Sequence, residues 1–188
     1  MNRLITICSR IYFLDLTRIS FSTTIFRYGV VNVALFLTPL VFDQPQIIVG
    51  SLVNFLLIYI ALNFRKAQLL PAIFLPSIAA VLRGSLLGSL TPSLLVLMPF
   101  IWIANAVLIG SIRALVFKNI GLKGSLFISA LLKSIALLLM AFIVVKALNL
   151  NEALLVAMGP IQLLTASIGS VIYLIVHKAE KGIIATGK

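Results

Sequence analysis

The chain is poor in acid. Its 188 residues include four carboxylate side chains, Asp15, Asp43, Glu152 and Glu180, with one cysteine and one histidine. Each shortage closes a class of chemistry. Cys8 has no partner for an internal disulfide, and it and His177 lack companions for a zinc site. There is no carboxylate pair for acid–base work and no Gly-rich phosphate loop. No catalytic residue, metal or cofactor is therefore expected, and any active transport must draw its energy from outside the chain. Coupling to protons or sodium recruits buried carboxylates, yet every acid here sits at the end of an apolar run or in a tail.

Apolar residues are what the chain has in abundance. They make up 62% of it and charged residues 10%, against about 45–50% and about 25% in a soluble domain. A soluble core cannot absorb that excess, and most of the chain lacks the amphipathic or alternating pattern a soluble fold needs. The expected fold is all-α, a polytopic membrane helix bundle. A span takes about 20 largely apolar residues, and six runs qualify, at 25–42, 44–64, 69–88, 92–114, 124–147 and 152–176.

The breaks between runs carry helix signals. Asp43 followed by Gln46 forms a capping-box pattern. Thr91 and Pro92 read as an N-cap and a first helical residue. Asn151 reads as a cap, with Glu152 favourable in the first turn. The organisation expected is a lead-in over 1–23, a six-helix domain over 24–178 and a tail over 179–188. The lead-in, "MNRLITICSRIYFLDLTRISF", is no signal peptide, because charges interrupt its apolar stretch and no small-residue cleavage site follows. It reads either as an amphipathic helix at the membrane surface or as a poorly ordered terminus.

A net charge of +11 on a soluble protein would suggest nucleic acid. Here it sorts by topology and implies no nucleic-acid partner. Arg3, Arg10, Arg18 and Arg27, then Arg65 and Lys66, then Arg113, Lys118 and Lys123, then Lys178, Lys181 and Lys188 all fall on one side of the six runs. The other side has only Lys146. Basic residues gather in cytoplasmic loops, so both termini are expected in the cytoplasm of a cell-membrane protein.

Arg83 and Lys133 belong to neither side. An ionisable group at a helix centre costs roughly 2.5 kcal/mol or more and usually faces the bundle interior or a water-filled cavity. Lys133 falls mid-span, and Asn54, Asn105 and Gln162 lie near the same depth on three other spans, with Arg83 further out. Small residues share their faces: Gly50 and Ala61 with Asn54, and Gly159, Ala166 and Gly169 with Gln162. The amides serve either to join helices or to line a pocket. No acid lies inside a span to neutralise Arg83 or Lys133, so either Arg83 snorkels to the outer headgroups or a ligand completes the site. Trp102, three residues before Asn105, is either packing or a flat wall for a ring-shaped ligand. Asp43 and Gln46 at the outer mouth either reach a ligand or cap their helix.

Four stretches, "QPQIIVGSLVNFLLIYIAL", "PSIAAVLRGSLLGSLTPSLLVLMPFIWIANAVLIG", "LLKSIALLL" and "GPIQLLTASIGSVI", together resemble a substrate-binding (S) component of energy-coupling factor (ECF) transporters, in a branch of small six-span proteins. The resemblance runs from about Asp43 to Val176. It implies a six-helix membrane protein that captures a vitamin, its precursor or a metal ion from the outer side. Such a protein works with a transmembrane coupling protein and two cytoplasmic ATPases, toppling in the membrane to deliver cargo. By position, Asn54, Arg83, Trp102, Asn105, Lys133 and Gln162 are the substrate-binding candidates. One departure concerns docking. Many S components carry an alanine-x-x-x-alanine pattern on the first helix, whereas "FRYGVVNVALFLTPLVF" offers only Gly29 and Ala34.

The leading expectation is a capture subunit, not an enzyme, for uptake of a small anionic or polar vitamin-like solute. Metal cargo is disfavoured by a cationic or neutral pocket. The rivals are a non-transporting membrane subunit that scaffolds a partner complex, and a membrane enzyme acting on a lipid-like substrate.

Overall fold

The apolar runs fold as helices. A computed structural model describes residues 21–42, 45–87 and 92–186. In chain order these form α1 (Phe21–Val41), α2 (Gln46–Asn63), a 3-10 turn (Lys66–Leu69), α3 (Leu70–Leu87), α4 (Pro92–Phe117), α5 (Leu122–Leu148), α6 (Ala153–Met158) and α7 (Pro160–Thr186). Six segments are long and apolar enough to cross a membrane: Thr23–Val41, Gln46–Asn63, Lys66–Gly84, Leu95–Phe117, Leu122–Leu148 and Ala153–Glu180. The chain is a multi-pass membrane protein, an all-α six-span bundle. The lead-in before residue 21 lies outside the described residues.

Where the helices start and stop has local causes. Asn149 ends α5 in the left-handed region at φ 50°, and Asn119 follows α4 at φ 60°, the conformation asparagine tolerates best after glycine. Pro92 opens α4 as expected, while Thr91 lies outside the described residues. Asn151 does cap, because its Oδ1 accepts the Ala153 backbone N–H at 2.8 Å. The capping box before α2 does not form as expected. Asp43 lies outside the described residues, and the extended Pro45 occupies the cap position without a side-chain bond. Gln46 is then the first helical residue rather than the third. The sixth expected span is also two helices. Pro160 has no N–H and restricts the residue before it, so Gly159 leaves helical geometry and α6 stops. A Cβ at Gly159 would sit 3.1 Å from the Leu155 carbonyl oxygen, a close backbone approach that favours glycine at the break. α7 then runs to Thr186, beyond the expected end at 176.

Four helices close a ring: α2 packs on α7, α7 on α5, α5 on α4, and α4 back on α2. α1 and α3 pack against each other and flank the ring, with α1 against α2 and α3 against α4. Lipid tails are as apolar as leucine, so close contact rather than water exclusion joins spans. The α2–α7 seam shows it. A Cβ at Gly169 would lie 2.7 Å from the Phe55 nitrogen and 2.8 Å from the Ser51 carbonyl oxygen, and one at Gly50 2.9 Å from Thr165 Cγ2.

Along the ring axis the interior is layered. Near the end that carries Arg65, Lys66, Lys118 and Lys123, called here the basic end, Leu57, Ile60, Phe64, Leu108, Ile112, Leu126 and Tyr173 belong to one buried apolar cluster. At the opposite end Leu97, Ala104, Leu137, Ala141, Val144 and Met158 form a second. Asn54, Asn105, Lys133 and Thr165 lie between them. The basic end is tied by polar groups. Arg113 Nη1 donates to the Phe64 carbonyl at 2.8 Å, closing the end of α2. The Tyr28 hydroxyl donates to the Gln68 carbonyl at 3.1 Å. Arg27 donates to the Tyr59 hydroxyl and lies 3.9 Å from Glu180.

Two predictions follow from these contacts. Gly169→Val should destabilise the protein in thermal unfolding by about 2 kcal/mol or more, since rigid backbone faces the new side chain. Gly110→Ala, with nothing within 4 Å of the added methyl, should raise stability by ~0.5 kcal/mol. At the opposite end Lys146 Nζ donates to Glu152 Oε1 at 2.6 Å, and this bond, then the charge attraction, holds the Glu152 carboxyl below its ordinary range. A depressed folded-state value contributes stability above the unfolded pKa and loses it as pH falls through the folded one. Glu152→Gln should therefore flatten that part of the acid limb of a stability–pH curve, with little change at neutral pH because both side chains are exposed.

Candidate functional site

α5 shows how a lysine comes to lie at the centre of the bundle. Its buried residues, Ser125, Leu126, Ser129, Ala130, Lys133, Ser134, Leu137, Ala141, Val144 and Val145, follow the 3.6-residue period of one helical face. The opposite face exposes Phe127, Leu131, Leu132, Ile135, Leu139, Phe142 and Ile143, as a lipid-facing surface should. Lys133 falls on the inward stripe and is 4% exposed.

Every helix of the ring meets it in one hydrogen-bonded cluster. Lys133 Nζ donates to Asn54 Oδ1 at 2.6 Å and to Asn105 Oδ1 at 3.0 Å. With its oxygen engaged, Asn54 turns its Nδ2 to Thr165 Oγ1 at 3.1 Å. The Thr165 hydroxyl donates onward to the Gln162 carbonyl at 3.1 Å. Asn54, Asn105 and Thr165 are 1%, 2% and 1% exposed. α2, α4, α5 and α7 each supply one side chain. α3 joins through its backbone, because Asn105 Nδ2 donates to the Ile73 carbonyl at 3.2 Å.

Pro76 lies inside α3, where it removes the N–H that would bond the Ala72 carbonyl, in the turn that also holds Ile73 and Phe74. Side-chain donors take the carbonyls of that turn: Asn105 bonds Ile73, and the Ser77 hydroxyl bonds Phe74 at 2.9 Å. Trp102, one turn from Asn105, grips the same stretch. Its Nε1 donates to Ser77 Oγ at 2.5 Å, and its ring meets Phe74 edge-on with centroids 4.9 Å apart.

The six expected site residues thus divide. Asn54, Asn105 and Lys133 come together, and Thr165 completes the cluster. Thr165 is visible in sequence only as a small polar residue between Gln162 and Gly169. Gln162 contributes its carbonyl, while its half-buried side chain makes no bond to the other members. Trp102 packs on α3. Arg83 is engaged elsewhere: its Nη1 donates to the Phe42 carbonyl, a long bond of 3.4 Å. This carbonyl lies just past α1, where backbone carbonyls present a partial negative charge. The expectation that the arginine's partner lies outside the chain is corrected accordingly, since a helix end inside it supplies one.

The cluster's electrostatics are unusual for its depth. Both acceptors of the ammonium are neutral amide oxygens. Each bond to a charged group contributes roughly 1.5–3 kcal/mol, whereas a neutral interhelical bond in a membrane averages about 0.6 kcal/mol. Lys133 therefore makes the strongest polar contacts in the ring, offset by the cost of burying its charge. No family model, curated protein or solved structure matches the chain, so the chemistry of the cluster carries the functional argument.

Substitutions here should be ordered by what they strand. Asn54→Leu removes one of two acceptors from a buried cation and the donor to Thr165, and should cost about 3 kcal/mol in thermal unfolding. Lys133→Met removes the charge itself and leaves neutral oxygens, at about 1 kcal/mol. A larger loss for the lysine variant than for the asparagine variant would contradict this account.

Proposed function

We propose that this protein is the membrane-embedded capture subunit of an importer of the energy-coupling factor type, binding a small anionic or polar, vitamin-like solute. The observation that carries the reading is the buried Lys133 ammonium, held by neutral amides from separate helices with no carboxylate bonded to it among the described residues. A cation so placed favours a guest that brings negative charge or strong acceptors. In this reading the basic end faces the cytoplasm, the solute enters from the outer side, and a transmembrane coupling protein with two ATPases supplies energy. Arg83, near the opposite end, stands where it meets an incoming anion. Trp102 and Gln162 flank the cluster from α4 and α7.

A second reading has its own support. Asn54, Asn105, Lys133 and Thr165 bond to one another closely enough to serve as a pin between helices, as in a subunit that scaffolds a partner complex. Ligand binding separates the two, because a ligand stabilises the folded state in proportion to its concentration over its dissociation constant.

A thermal-unfolding screen of the detergent-purified protein against vitamins, precursors and small organic acids tests the proposal. One compound class should raise the Tm saturably, and Lys133→Ala, if folded, should abolish the rise. Stabilisation by a protein partner alone would establish the scaffold reading instead.

A further inference from the structure

The buried hydroxyls of the spans follow one rule. Thr38 donates to the Ala34 carbonyl, Ser51 to Ile47, Ser77 to Phe74, Ser125 to Ile120, Ser134 to Gly159, Thr165 to Gln162 and Ser170 to Ala166. All donate to a backbone carbonyl, Ser134 across to Gly159 at the end of α6 and the others to the turn just before them, the usual way for serine or threonine in a span to satisfy itself. Ser129 breaks the rule. It is 0% exposed, and its Oγ has no hydrogen-bond partner among the described residues. A buried hydroxyl left unsatisfied is costly in hydrocarbon.

Its position gives the exception meaning. Ser129 stands four residues before Lys133 on the same buried stripe of α5. Side chains on a helix lean toward its N-terminus, so a lysine lies over the residue four positions earlier. Lys133 has three N–H groups and gives two of them to Asn54 and Asn105. Lys133 and Ser129 share that stripe without bonding each other, and an ammonium has no lone pair with which to accept the Ser129 O–H. What satisfies both is an acceptor, and a charged one also balances the lysine.

We propose that Ser129 and Lys133 form an anion subsite on the basic-end side of the two asparagines, taking one carboxylate oxygen or one halide. This deepens the capture reading and rests on it: the solute would be a carboxylic acid whose acid group seats beneath the amides. Ser125, one turn further along the stripe, is satisfied by the Ile120 carbonyl, which places the subsite at Ser129 rather than along the whole stripe.

Thermal unfolding of the full-length, detergent-purified protein tests this, using sodium formate, sodium chloride and sodium gluconate at matched ionic strength. Formate should raise the wild-type Tm saturably over gluconate. Ser129→Ala should weaken that response about tenfold, the effect of one lost bond to a charged group, and Ser129→Thr should restore it. In gluconate Ser129→Ala should be at least as stable as the wild type, since it removes a hydroxyl that is buried without a partner. An equal rise with chloride assigns the subsite to bare charge, and a rise with formate alone assigns it to carboxylates. Identical responses of wild type and Ser129→Ala, or no response from either, would overturn the subsite. The capture reading fails separately. If formate acts through Ser129 but no organic acid exceeds it, the subsite stands and solute capture does not. If an organic acid binds equally well to Ser129→Ala, capture stands and the subsite falls.

Discussion

One ammonium in hydrocarbon sets the terms for the rest of this molecule. Lys133 is buried where water cannot reach it, so its acceptors must come from other helices. They come from α2 and α4, and α2 in turn is fixed on α7 through Thr165. The ring of four helices is the arrangement that brings those groups within bonding distance. Gly50 and Gly169 let α2 and α7 approach closely enough for the Asn54–Thr165 bond, so backbone packing and side-chain chemistry at this seam depend on each other.

The layers on either side serve the same constraint. Two apolar clusters enclose the polar layer from both ends, lowering the local dielectric and strengthening each bond within it. At the basic end, Arg113 on the Phe64 carbonyl and Tyr28 on the Gln68 carbonyl hold the turns between helices. The same residue type at the other end, Arg83 on the Phe42 carbonyl, ties α3 to the close of α1. In both places an arginine closes a helix end by donating to a backbone carbonyl.

Much of this was legible before any coordinates. Six spans follow from run length and composition, and the shared depth of Asn54, Asn105 and Lys133 follows from counting along those spans. What sequence does not carry is partnership. Arg83 looked unpartnered because a helix-terminal carbonyl has no side chain to betray it. Trp102 shares a face with Asn105, yet Ser77 and Phe74 on a different helix decide what that face meets. The break at Gly159 is written in the Gly-Pro pair, but apolar residues on both sides hide it within one long run. Ser129 is indistinguishable from Ser125 or Ser134 by type, burial or periodicity, and only the missing bond separates it.

The lysine's bonds also bear on how the chain enters the membrane. Its acceptors lie 79 and 28 residues earlier in the chain, so when synthesis proceeds from the N-terminus both are present before α5 arrives. A lone lysine at a helix centre opposes insertion by roughly 3 kcal/mol, against about half a kilocalorie gained per leucine or isoleucine. α5 carries enough of these apolar residues to cross unaided, and the waiting asparagines then draw its charge out of the lipid. Thr165 arrives last and locks an acceptor already in use. The order of the spans along the chain is thus also an order of assembly, in which the costliest residue is delivered to a prepared place.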